Sequence, residues 1–238
     1  MKKHWLAFAT TFILVCFPVF ADSRNLVFNE SFAYTNIDSI IISLSYENLK
    51  VSQIYGDEIV VEIGSNNIKK IPQVTLKQDE LSSVLKIEST VKRATLGNSC
   101  TVYLYLPQDF IAKELDFSVV SGNLQADSLQ AENSIFLSSI SGRIDTAACS
   151  TEYLLASSVS GNITMQKISV GYFDIKNVSG KIFAELEKAL EAKSKISSVS
   201  GNIQVYYKRI KNESPFSDDS PEFIISSVVG KIETVPFD

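Results

Sequence analysis

The sequence predicts an all-β fold, a parallel β-solenoid with windings of about 20 residues and an amino-terminal β-rich capping region. Three observations predict it. A five-residue block recurs six times, as VSGNL from Val120, ISGRI from Ile140, VSGNI from Val159, VSGKI from Val178, VSGNI from Val199 and VVGKI from Val228. Its glycines Gly122, Gly142, Gly161, Gly180, Gly201 and Gly230 are 20, 19, 19, 21 and 29 residues apart, and self-similarity at a near-fixed period marks a stacked array. Branched and aliphatic residues keep fixed offsets from each glycine, the signature of strands with one buried face.

Residues 1–21 read as an export signal. Lys2 and Lys3 precede an apolar run from Trp5 to Phe20, and Val-Phe-Ala before Asp22 places cleavage after Ala21. A lipid anchor at Cys16 is the competing reading: Leu14-Val15-Cys16 partly matches a lipobox, but valine stands where a small residue belongs. His4 and Trp5, the only histidine and tryptophan, leave with the signal. Lys plus Arg then falls from 22 to 20 against 27 acidic residues, a formal charge of −7. Nucleic acid and anionic membranes both reward clustered Lys and Arg, so neither is an expected partner. Cys100 and Cys149 remain, either bridged in an oxidising compartment or as small buried side chains. No second apolar run approaches the ~20 residues of a membrane helix.

Residues 22–111 form an amino-terminal strand region, read as continuous with the solenoid. Alternation predicts strands over Leu26–Phe32, Ile37–Leu44, Leu49–Gln53, Ile59–Ile63, Val74–Leu76, Val84–Ile87 and Thr101–Leu106, separated by turn formers such as Tyr55-Gly56-Asp57. The segment from Leu44, LSYENLKV, reads as an eroded block without its glycine. The expected task of this half is to cover one open end of the stack.

Residues 112–238 carry the repeats. Two positions before each glycine stand Val120, Ile140, Val159, Val178, Val199 and Val228; two after stand Leu124, Ile144, Ile163, Ile182, Ile203 and Ile232. Both columns are expected in the core, with Phe117, Leu137, Ala156, Ile175, Ile196 and Ile225 five before the glycine. A three-residue step between two of these columns breaks the two-residue phase, so a corner is expected at Ser138-Ser139, Ser157-Ser158, Ser197-Ser198 and Ser226-Ser227. The serines then serve corner chemistry. Each glycine is expected at a second bend or bulge that tolerates positive φ.

Leucine-rich repeats share the period, but their Leu-x-x-Leu-x-Leu-x-x-Asn spacing is missing. Helix formers in FAELEKALEAK from Phe183 compete with the strand phase; the repeat keeps the strand to about Leu186 and allows a helical turn beyond it. Residues 208–222, with two prolines and mixed charge, read as a long loop, and Pro236 discourages further stacking.

Chemistry is sparse. After each glycine comes Asn123, Arg143, Asn162, Lys181, Asn202 or Lys231, a polar stripe with a cation on every second winding. It is either a solvated edge or a binding stripe for an anionic glycan or acidic surface. Asp218-Asp219 lacks the spaced ligands of a calcium loop. Adjacent Tyr206 and Tyr207 face opposite ways on a strand, leaving one ring for a sugar or for packing under the loop. No imidazole is left for a triad or a catalytic zinc, and no phosphate loop occurs. No catalytic, cofactor or metal residue is therefore assigned, and no cofactor is expected.

The Tyr103-Leu104-Tyr105-Leu106-Pro107 strand, Leu115-Asp116-Phe117 and the successive [VI]-S-G-[NKR]-[IL] blocks resemble the bacterial putative adhesin domain family, exported β-solenoids of unknown biochemical function. The resemblance runs from about Ile37 to Ile232, departing at Val229 and at the enlarged loop before it. It implies a right-handed parallel stack in the periplasm, at the cell surface or outside the cell, and brings no active site. The expected function is a non-catalytic adhesin-like binding or scaffolding module whose partner is a glycan or an envelope protein. The alternatives are a polysaccharide lyase or hydrolase on the same fold, or a structural or signalling part of an envelope-stress system.

Overall fold

Alternating apolar residues in the amino-terminal region, up to residue 111, form seven strands: β1 (Leu26–Ala33), β2 (Ser39–Leu44), β3 (Asn48–Ile54), β4 (Glu58–Ser65), β5 (Gln73–Gln78), β6 (Ser83–Glu88) and β7 (Cys100–Pro107). Eleven follow: β8 (Ala112–Val119), β9 (Leu124–Ala126), β10 (Leu129–Ser139), β11 (Ile144–Thr146), β12 (Cys149–Ser158), β13 (Ile163–Ser179), β14 (Ile182–Leu186), β15 (Ser194–Ser200), β16 (Ile203–Lys208), β17 (Phe223–Ser227) and β18 (Ile232–Phe237). The structure, a computed structural model, describes residues 25–78, 82–90, 99–187, 194–208 and 223–237. The export signal, Asp218-Asp219, most of the long loop and the helical turn expected after Leu186 lie outside these residues.

The strands make one sheet wound on itself. Strands preceding the glycines, β8, β10, β12, the end of β13, β15 and β17, stack in parallel register. Strands following them, β9, β11, the start of β13, β14, β16 and β18, do the same on a second face. The eroded block takes part: β2 pairs with β8 and β3 with β9, and Glu47 stands where later windings have glycine. Its carboxylate, fully buried, accepts from the N–H groups of Ser45 and Tyr46 at 2.9 and 3.0 Å and from the Ser89 hydroxyl at 2.6 Å.

The order of layers departs from the order of the chain, and the stack is not purely parallel. β6 and β7 add in parallel to β2 and β3, so the β2–β3 layer is enclosed between β6–β7 and β8–β9. Beyond them β5 runs antiparallel to β6, β4 to β7 and β1 to β4. Strands separated by only a few residues, as β5 and β6 are, can pair only antiparallel, whereas a parallel neighbour needs a full winding. The sheet is therefore mixed at its amino-terminal end.

Leu124, Ile144, Ile163, Ile182 and Ile203 lie one over the next, each at most 1% exposed, as do Phe117, Leu137, Ala156, Ile175 and Ile196. The column two before the glycines does not belong to the core. Ile140, Val159 and Val178 are stacked, but on the outside, 51%, 48% and 48% exposed. The corner falls one residue later than the sequence suggests. β10 runs through Ser139, which points inward, and Ile140 is the first residue turned out. A serine three before the glycine keeps the even phase of the strand: Ser139 and Ser158 are buried, and their hydroxyls accept the Gly142 and Gly161 N–H groups at 2.8 and 2.9 Å. The outward aliphatics cover one another's flanks, which leaves them half-buried; Val228, in the last described winding, is 78% exposed.

The glycines are demanded by close approach rather than by a common bend. A Cβ at Gly142 or Gly161 would overlap the carbonyl oxygen of the glycine one winding earlier, well inside the 3.0 Å that real Cβ atoms respect. Positive φ occurs at Gly180 and Gly230 but not at the other four block glycines.

Candidate functional site

The residue after each glycine does stand on the corner surface, where Asn123, Arg143, Asn162, Lys181, Asn202 and Lys231 are all exposed. The asparagines tie windings together. Asn48 Oδ1 accepts from the Asn123 N–H at 2.9 Å, Asn123 Oδ1 from the Arg143 N–H at 3.0 Å, Asn162 Oδ1 from the Lys181 N–H at 2.9 Å and Asn202 Oδ1 from the Lys231 N–H at 3.0 Å. A backbone donor at the corner has no strand partner and needs such an acceptor. Two of the cations have carboxylate neighbours: Arg143 Nε lies 2.5 Å from Asp145, and Lys231 Nζ lies 3.9 Å from Glu233.

Two residues further on, the chain turns another side chain outward, and strand register assembles these into a row across the stack. Glu62 and Lys50 flank Tyr103, Lys50 adjoins Gln125, and Gln125 adjoins Asp145. Thr164, Phe183, Gln204 and Glu233 continue the row. Beside it stand Tyr105 and Ser52 at one end and Glu185 and Tyr206 at the other. Two shallow recesses open on this face and share Gln125 and Asp127. One, of about 260 Å³, is lined by Lys50, Tyr103 and Tyr105; the other, of about 320 Å³, by Arg143, Asp145, Thr164 and Gln166.

Aromatic rings stand at both ends of the row. Lys50 Nζ is 5.9 Å from the centre of the Tyr103 ring, a cation–π distance, and the Tyr105 hydroxyl is 3.2 Å from Glu62 Oε2. At the other end the Phe183 and Tyr206 centroids are 5.4 Å apart with planes tilted by 40°, and Gln204 Nε2 donates to the Tyr206 hydroxyl at 3.3 Å. Tyr207 turns the other way and packs against the core, so the adjacent tyrosines divide as alternation requires.

This face escaped the sequence reading. Its signal lies in the third residue after each glycine, Gln125, Asp145, Thr164, Phe183, Gln204 and Glu233, whose variety hides the common orientation. Lys50, Tyr103 and Tyr105 join it only through the layer order of β7, β3 and β9.

Cys100 and Cys149 are buried, unbridged thiols. Burial pushes Cys149 up to about 12; burial, then the charge of Glu47, pushes Cys100 up to about 11. Among the described residues no three His, Cys, Asp or Glu side chains gather as a metal site, and no helix is long and apolar enough to cross a membrane.

A family model described as Toastrack DUF4097 matches residues 35–225, most of the chain. This chain belongs to the Toastrack family. The match takes in the amino-terminal strands from β2 onward and five of the six glycine blocks, in accord with the resemblance carried by those blocks. Two solved structures share the Toastrack chain's fold. A putative adhesin from Bacteroides fragilis NCTC 9343 has a TM-score of 0.52 at 13% identity, over 87% of this chain and 96% of its own. A putative cell adhesion protein from Clostridium sporogenes ATCC 15579 has a TM-score of 0.50 at 13% identity, over 88% and 99%. At that identity the likeness concerns the fold. Among curated proteins none matches. Neither the family description nor these two structures carries a catalytic name.

Proposed function

We propose that this Toastrack protein is exported and acts without catalysis, as an adhesin-like binding or scaffolding module of the cell envelope or surface. Its contact surface is the face that follows the glycine corners, bordered by the Asn/Arg/Lys stripe. One observation carries the reading: register places rings and hydrogen-bonding groups in a continuous outward row from Tyr103 to Gln204, on a frame whose backbone groups are engaged in strand ladders. Rigid presentation of aromatic and polar groups on a shallow face suits recognition of an extended partner. The proposed division is an export signal over residues 1–21, a strand region over 22–111 and repeats over 112–238.

The test is co-sedimentation of labelled protein with isolated envelopes of the producing bacterium. Saturable binding, displaced by unlabelled protein and reduced in a Tyr105→Ala, Phe183→Ala double variant, is the expected result. Sedimentation no greater than that of an unrelated acidic protein refutes the proposal.

A further inference from the structure

Resting on that reading, we propose that the partner is an extended, uncharged polysaccharide lying along the solenoid axis, across the strands of the face that follows the glycines. The side chains on that face are the first ground. Sugar rings offer apolar C–H faces to aromatic rings and a rim of hydroxyls to amides, hydroxyls and carboxylates. Tyr103 and Tyr105 supply rings at one end, Phe183 and Tyr206 at the other, and Gln125, Asp145 and Thr164 stand between them.

Length is the second ground. Tyr103 and Phe183 are separated by five strand-to-strand steps, through Lys50, Gln125, Asp145 and Thr164. At ~4.8 Å a step this is about 24 Å, the span of several linked sugars rather than of one. The intervening positions repeat at one spacing, which suits a ligand that is itself a repeat.

Charge and backbone exclude the competing occupants. Across the face and its bordering stripe Asp127, Asp145, Glu185 and Glu233 balance Lys50, Arg143, Lys181 and Lys231, with Arg143 2.5 Å from Asp145 and Lys231 3.9 Å from Glu233, so an anionic polymer would meet no surplus of positive charge. A peptide adding as a strand needs an unpaired sheet edge. This face offers none in its middle, because β3, β9, β11 and β14 are each paired on both sides.

Calorimetric titration with cello- and chito-oligosaccharides from the disaccharide to the hexasaccharide, and with polygalacturonate, tests the assignment. Affinity for at least one neutral series is expected to rise with length until both aromatic ends are bridged. Tyr105→Ala and Phe183→Ala are each expected to weaken binding roughly tenfold, the value of one ring contact, whereas Tyr105→Phe retains it. These residues point outward, and an unchanged melting curve shows that each variant is folded. Silence across both neutral series, affinity independent of length, or tighter binding of polygalacturonate overturns the inference. If envelope binding persists while the neutral sugars are silent, the polysaccharide assignment falls and the binding-module reading stands; if envelope binding is also lost, both fall.

Discussion

Gly161→Ala is the most direct probe of why the block carries glycine. The added Cβ would overlap the Gly142 carbonyl oxygen, a backbone atom that cannot rotate away, and the Ser158 hydroxyl stands 2.9 Å from the same point. The windings must part at this corner, where Ser160 donates to the Ile140 carbonyl at 2.9 Å, Ser179 to the Val159 carbonyl at 2.8 Å and Gly161 to the Ser158 hydroxyl at 2.9 Å. Overpacking costs about 1–3 kcal/mol, and weakening two such bonds adds roughly 1 kcal/mol each. The expected loss is about 3–5 kcal/mol, which lowers the melting temperature by roughly 6–20 °C in a chain of this size. Gly171→Ala is the control, since its Cβ would meet the movable carboxylate of Glu152 at 3.0 Å. Its melting temperature is expected within about 2 °C of the parent, since a carboxylate that moves aside leaves a change in stability of about 0.5 kcal/mol or less. Thermal melts followed by far-ultraviolet circular dichroism decide it. If Gly161→Ala melts with the control, close approach is not what holds glycine in the block.

Three further outcomes are expected. Ile163→Ala, in the sealed column, should cost about 2–5 kcal/mol, whereas Ile140→Ala, half exposed on the corner, should cost about 1 kcal/mol or less; equal losses in urea titrations contradict the outward placement of Ile140. Ser139→Ala removes the acceptor of the buried Gly142 N–H and should cost about 1–3 kcal/mol, while Ser141→Ala removes only an exposed hydroxyl bond to the Val120 carbonyl and should cost about 0.5 kcal/mol or less. The same titrations test that pair, and the order of the two losses is the deciding result. Both thiols should resist a disulfide reagent at pH 8 in the folded protein and react promptly in denaturant; fast native labelling rules out their burial. Because burial raises their folded values to about 11 and about 12 above the reference of 9.0, the stabilisation they contribute is complete below about pH 9 and declines as pH rises through the folded values.

The sequence alone determined the strand class and the location of most strands, because a two-residue alternation records which side chains avoid water and needs no knowledge of neighbours. That is why the seven amino-terminal segments from Leu26 to Leu106, the glycine period and the buried column of Leu124, Ile144, Ile163, Ile182 and Ile203 were legible. Alternation could not say where the phase ends. Ile140 and Val159 look like core residues by type, and only the turn after Ser139 and Ser158 sends them outward. Nor could a linear pattern reveal that β6–β7 would fold back against β2–β3, since pairing between segments distant in sequence leaves no local trace. The corner stripe was visible because asparagine alternating with a cation recurs at one offset from the glycine. The aromatic face was not, because Tyr103, Lys50, Gln125 and Phe183 come from four separate stretches, and only the winding of the sheet sets them side by side.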